Sequence, residues 1–261
     1  LALPIVCCPT TAASDAPCSA LSVIYSETGV FETIQYYRRN PDLVLVDSAV
    51  ILRAPVRTFV AGMGDALATY FEARASAAAG KANVPGGAPT LAALAIAELC
   101  YRTLLKDGSA ALSAARQGVV TPAFENVVEA NTLLSGLGFE SAGLAAAHSV
   151  HNGLTALPET HDFMHGEKVA IGTLVQLMLE GQEPALLDEV YGFCVRVGLP
   201  VTLAEIGLGA FSRVKAMAVA TRALAEGESA HHEPFPVTPD RLADAIFAAR
   251  SEEHTSELQS H

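Results

Sequence analysis

Residues 148–165 read HSVHNGLTALPETHDFMH, four of the chain's eight histidines within eighteen positions. His148 and His151 stand three apart, so on a helix they share one face, and His161 and His165 stand four apart. His165 is followed by GEKVAIGTLVQLMLE, an amphipathic run of good helix formers. The pattern predicts one helix ending near NGLTALPE, a short connection, and a second helix starting near HGEK. Two such helices can bring their histidines together.

Working outward, helical segments follow one another from Ala54 onward, at about 55–79, 88–106, 121–137, 141–156, 165–181, 184–197, 211–226 and 238–249. Glycine, proline and short polar joints separate them. TPAFE and TPDRL place Thr at the N-cap and Pro at the first helical position, a strong entry signal. The first fifty-odd residues are strand-like. IVCC is a short apolar run, SALSVIY and VFETIQYY form a hairpin about an ETG turn, and LVLVDSAVI reads as a strand covered on both faces. The expected organisation is a remnant of an α/β unit over 1–53 followed by an all-α domain over 54–249. The segment 250–261, RSEEHTSELQSH, breaks with the helix before it and is read as a non-native tail.

The chain has 261 residues, half of them apolar, enough for a sizeable core. Its net charge of −12 argues against nucleic acid or an anionic membrane as partner. No uncharged apolar run is long enough to span a bilayer and no leader pattern opens the chain, so a cytoplasmic protein is expected. Five cysteines without a CxxC pair read as reduced packing thiols.

Three places hold chemistry. Asp65, in AGMGDALATYFEARA, sits inside a helical pattern where a carboxylate is neither a good former nor easily buried. By itself it reads equally as an exposed helix residue, and each histidine by itself as a satisfied structural group. Taken together, Asp65, His148 and His165 suit a metal with three protein ligands and an open position. His151, one turn from His148, is placed for substrate contact or support of a ligand. PTTAASDAPCSALS at 9–22 follows a strand and offers hydroxyls and backbone N–H groups, as a ligand loop or as an ordinary connection. No GxGxxG or P-loop motif is present.

The segments PTTAASDAPCSALSVIY, NPDLVLVD, AGMGDALATYFEARA, VVTPAFENVVEANTLLSGLGFESAGLAAAHSVHNGLTAL, HGEKVAIGTLVQL and GLPVTLAEIGL resemble, in order, the glycerol dehydrogenase family of the iron-containing alcohol dehydrogenase superfamily. The resemblance runs over nearly all of 1–249. It implies the dehydroquinate synthase-like architecture lacking most of its N-terminal nucleotide-binding domain, with the active site in the cleft between domains. It also implies NAD-dependent, reversible oxidation of glycerol to dihydroxyacetone at Zn2+, with Fe2+ as the alternative metal. The family's metal ligands fall on Asp65, His148 and His165, and its glycerol contact on Asp15. Its cofactor contacts fall on Thr10, Thr11, Ala12, Ala13, Ser19, Leu21 and Tyr25. His151 is expected to relay a proton. A homo-oligomer, commonly an octamer, is implied, with glycerol or a related small diol as the partner molecule.

Two departures stand out. The family's upstream glycine-rich loop is not in this chain, which implies that the chain as it stands is not competent. Ala13-Ser14 occupies the place usually held by Ser-Thr before Asp-Ala-Pro. The alternatives are another metal-dependent polyol or alcohol dehydrogenase of the same superfamily, or a catalytically incompetent metal-binding fragment.

Overall fold

The computed structural model describes residues 3–249, and the expected tail at 250–261 lies outside the described residues. The chain is mostly helical. Two short strand pairs open it: β1 (Val6–Cys7) runs parallel to β4 (Leu43–Val44), and β2 (Leu21–Tyr25) pairs antiparallel with β3 (Phe31–Tyr36) in the register Leu21 opposite Tyr36. Helices follow: α1 (Ser48–Ile51), α2 (Val56–Ala78), α3 (Leu91–Gln117), α4 (Pro122–Glu129), α5 (Ser135–Ala142), α6 (Ala146–Leu154), α7 (His165–Glu180), α8 (Pro184–Val197), α9 (Arg213–Ala223) and α10 (Pro239–Ala248). No described helix is long and apolar enough to cross a membrane.

The hairpin and the Thr–Pro helix starts match the sequence expectation. Thr121 and Thr238 each accept from the amide of the third helical residue, Phe124 and Arg241. LVLVDSAVI does not. Its strand part is only Leu43–Val44, because the Asp47 carboxylate accepts from the Ala49 and Val50 amides and starts α1. Nor is the run covered on both faces, since Leu43 and Leu45 are 52% and 57% exposed. Helix α3 continues well past the expected end near 106. Gly108 is tolerated in mid-helix because Phe193 fills the space, lying 2.9 Å from where its Cβ would be. The α4–α5 segment is continuous through a π-helical turn at Ala130–Leu134, and Gly143 at φ +104° ends it, so the following helix begins at Ala146 and not near 141.

Helix α7 is the shared wall of two cores. On one side Phe71, Leu104, Phe124 and Phe193 are buried with Leu174 and Leu177. On the other, Val150, Leu154, Leu203, Val219 and Ile246 are buried with Ile171 and Val175. Residues on opposite faces of one helix thus belong to different cores, which is why this helix reads as apolar nearly all round.

The helices around α7 approach it through glycine. A Cβ on Gly166 would lie 1.7 Å from the Ala61 carbonyl oxygen of α2, and one on Gly172 would lie 2.2 Å from that of Ala147 in α6. Backbone meets backbone there, and no side chain can step aside. Gly166→Ala is therefore expected to lower stability by about 1–3 kcal/mol or more in chemical denaturation. Gly209→Ala, with nothing within 4 Å of the added carbon, serves as control and is expected to stay within about 0.5 kcal/mol of the parent.

Candidate metal centre and cleft

Three helices supply the centre. Asp65 lies in mid-α2, 2% exposed, where Gly64 lets α7 come close: a Cβ on Gly64 would lie 2.3 Å from the Gly166 carbonyl oxygen. His165 opens α7. The cap there is built by Glu167, whose carboxylate accepts from the Met164 amide and is itself clamped by Arg57 through two bonds of 2.7 Å. His148 sits in the first turn of α6.

Asp65 Oδ1 lies 3.0 Å from His165 Nε2 and 3.4 Å from His148 Nε2, and one donor atom from each residue falls within 4.8 Å of the others. Ligands around a tetrahedral ion with bonds near 2.0–2.2 Å stand roughly 3.4 Å apart, so the spacing fits. The chemistry fits too. Asp65 Oδ2 is buried and meets no hydrogen-bond donor, an arrangement that otherwise leaves a carboxylate oxygen uncompensated. A divalent cation coordinated by the three residues answers both observations.

Charge follows the same logic. Burial pushes the Asp65 carboxyl up, but His165 and His148 outweigh it and hold the group well below the usual carboxylate range. Burial also works against a charged His148, yet Glu72 and Asp65 prevail and leave its pKa well above the ordinary value. Asp15 is raised to about 8 by burial and by the charge of Asp65. Ser135 Oγ donates to Asp15 Oδ2 at 2.5 Å. Ser135 follows the π-helical turn directly, and Asn131 within that turn donates to the Ala12 and Phe59 carbonyls, so the turn fastens the Asp15 loop to the helices.

The centre opens on a cleft of about 1080 Å³ whose walls include Asp65, His148 and His165, together with Asp15. Of the residues expected to contact a cofactor, Ala13, Ser19, Leu21 and Tyr25 line this cleft. Thr10, Thr11 and Ala12 are not among its lining; Ala12 is wholly buried, packed under the Asn131 amide. His151 is 1% exposed and lies behind His165, not on the cleft wall. Its Nε2 accepts from His165 Nδ1 at 3.0 Å, and its Nδ1 faces Asn152 Oδ1 at 3.1 Å. Burial and the charges of His165, Lys168 and His148 hold its pKa well below the ordinary value, so it is neutral.

Sequence reasoning passed over Glu72, Asn131, Ser135 and Glu233. Glu72 carried a signal: it lies seven positions after Asp65, two helical turns along the same face. The others had none, since nothing local to ANTLLS or HHEPF points at partners so distant in the chain.

Asp and two His on converging helices, open to one side on a cleft, make a candidate site for a single metal ion beside space for a small molecule. The comparisons agree with that class. A family model described as iron-containing alcohol dehydrogenase matches residues 1–48. The glycerol dehydrogenase of Citrobacter freundii is 55% identical over 247 residues, 95% of this chain and 68% of the relative. The glycolaldehyde reductase of Halobacterium salinarum is 55% identical over 245 residues, covering 94% and 67%. The crystal structure of a probable glycerol dehydrogenase from Sinorhizobium meliloti superposes with a TM-score of 0.94 at 46% identity, over 97% of this chain and 71% of the other. The chain belongs to the iron-containing alcohol dehydrogenase family, on the branch that holds the glycerol dehydrogenases, and spans about two thirds of the length of the relatives it matches.

Glu233 offers a test of the buried surroundings. It is 4% exposed, accepts from the Ala146 amide through Oε1, and leaves Oε2 buried without a donor. Burial and the nearby Glu180 and Glu72 raise its pKa from 4.5 to about 8. Between those values the folded protein keeps a proton that the unfolded chain has released, so this carboxyl's favourable effect is full below 4.5 and lost as the pH climbs to about 8. Glu233→Gln removes the titration and keeps the acceptor. The variant is expected to gain in melting temperature on the parent as the pH rises through that window, and a difference that stays flat across it would show that the carboxyl is not buried as described.

Proposed function

We propose that the chain carries the metal and substrate site of an NAD-dependent glycerol dehydrogenase, which interconverts glycerol and dihydroxyacetone. The observation that carries this reading is the Asp65, His148 and His165 triple facing the same cleft as Asp15. Zinc is the metal the donor set favours, two imidazoles and one carboxylate at tetrahedral spacing, with ferrous iron as the alternative. When bound, the ion supplies Lewis acidity that favours ionisation of an alcohol near neutral pH, and NAD supplies the hydride acceptor.

The chain's own residues do the rest. Asp15, pinned at one oxygen by Ser135, holds a hydroxyl next to the reacting carbinol and so favours a vicinal diol over a simple alcohol. Ala13, Ser19, Leu21 and Tyr25 line the part of the cleft assigned to the nicotinamide cofactor. His151 has both ring nitrogens engaged and lies off the cleft wall, so its part is to orient the His165 ring and not to relay the released proton. Assembly into a homo-oligomer, as large as an octamer, belongs to the same proposal.

A second reading rests on the Halobacterium salinarum relative. Its name assigns it glycolaldehyde, a smaller carbonyl compound that also carries a hydroxyl beside the reacting carbon. The Asp15 contact serves either molecule, so the two readings differ in substrate size and not in mechanism.

The decisive experiment follows NADH formation from NAD and glycerol by a polypeptide that carries this chain at the full length of its relatives. Glycerol-dependent turnover that stops with a chelator and returns with zinc is the expected result. Turnover that ignores the chelator would overturn the metal assignment, and NADH oxidation with glycolaldehyde but none with dihydroxyacetone would overturn the substrate assignment. In the same protein Asp15→Ala is expected to lower kcat/KM for glycerol by about 3–10-fold more than for a monohydric alcohol, the cost of one hydrogen bond to a neutral carboxyl.

A further inference from the structure

Helix α6 begins without a cap of its own. Its N-cap residue is Ala145 and its first two positions are Ala146 and Ala147, none of which offers an acceptor side chain. The amides from Ala145 to His148 are nevertheless all satisfied, by side chains from three other parts of the chain. Glu72 Oε1 on α2 accepts from Ala145 and from His148, each at 3.0 Å. Glu233 Oε1 takes Ala146 at 3.1 Å, and Gln176 Oε1 on α7 takes Ala147 at 3.0 Å. The other oxygen of Glu72, Oε2, lies 2.5 Å from His148 Nδ1. Glu72 is wholly buried, so water does not compete for either oxygen.

From this arrangement we infer that Glu72 selects the ring tautomer of His148, a positioning role that rests on the metal-centre reading above. As a carboxylate it has acceptors only. Oε1 is committed to two backbone donors, so Oε2 meets the ring and requires a proton on Nδ1. Nε2 is then the nitrogen left to a metal, which displaces any proton it carries, and it is Nε2 that stands 3.4 Å from Asp65 Oδ1, on the side where a metal would be held. His165 is set differently: its Nδ1 donates to the neutral ring of His151, not to a carboxylate. The two imidazole ligands therefore have unlike partners, and the His148 side carries the negative charge that makes its nitrogen the stronger base.

Glu72→Gln separates this role from simple capping. The amide oxygen has to stay on the two backbone N–H groups, since turning the NH2 toward them would set donor against donor. The NH2 then faces His148 Nδ1, which can meet it only as an acceptor. The ring proton moves to Nε2 and blocks the lone pair that the metal needs, while the cap on α6 remains.

The test uses the 261-residue chain, zinc as the probe, a competing chelating dye for affinity and 15N-labelled histidine for NMR. The zinc-loaded parent is expected to show His148 coordinated through Nε2 with the proton on Nδ1. Glu72→Gln is expected to bind zinc about 10–100-fold more weakly and, metal-free, to carry the His148 proton on Nε2. A parent coordinated through His148 Nδ1 overturns the inference whether or not the variant folds. A folded variant that binds zinc as tightly as the parent overturns it as well, and leaves the metal centre standing. A parent that takes up no stoichiometric zinc removes the metal centre itself and the inference with it.

Discussion

A carboxylate buried in the middle of an alanine-rich helix has to be compensated, and Asp65 is the group around which this chain is arranged. Taking its charge out of water costs several kcal/mol unless cations or donors approach it, on the order of what a whole domain has to spare. Both histidine rings turn to one of its oxygens, and the other meets no donor. That requirement explains why α6 and α7 converge on α2 at this level. It also accounts for the polar residues inside helices that otherwise pack as apolar rods: Glu72, Gln176 and Glu233 lie where they satisfy the backbone next to His148.

The same centre governs the loop that carries Asp15. A π-helical turn is a costly irregularity in a helix, and here it aims Asn131 and Ser135 at that loop. Asp15 is thereby attached to the helical body and not to the strands that precede it. Asp15 and Asp65 share one rigid frame, and the charge of Asp65 adds to burial in holding Asp15 near 8.

Much of the frame was legible in the sequence where the signal was local. Thr–Pro entries placed the starts of α4 and α10, the periodic run after His165 placed α7, and an Asp in an apolar helix together with the two histidines gave the centre. For the centre the fold shows that the three side chains meet; what was not legible depended on contacts distant in the chain or on competition between local signals. LVLVDSAVI has the composition of a buried strand, yet Asp47 caps a helix within it. Gly108 looked like a boundary until Phe193 was seen to occupy its space. Of the loop residues expected to contact a cofactor, Ala13 and Ser19 line the cleft and Thr10 and Thr11 do not, because the loop turns between them. The remote cap on α6 could not be read at all, because Ala145, Ala146 and Ala147 carry no trace of the side chains that serve them.

The glycines at the helix crossings have a consequence for how the protein can change. Gly64, Gly166 and Gly172 take part in no chemistry, yet each admits a single residue type, because the neighbouring carbonyl oxygen already fills the space of a first side-chain atom. The cleft lining, by contrast, is made of side chains whose exchange leaves the backbone alone. Variation that retunes substrate or cofactor preference is thus open along β2, β3 and the Asp15 loop, while the spacing of the three ligands is held by main chain that cannot be traded. The mouth of the cleft is therefore free to change where the helix crossings are not.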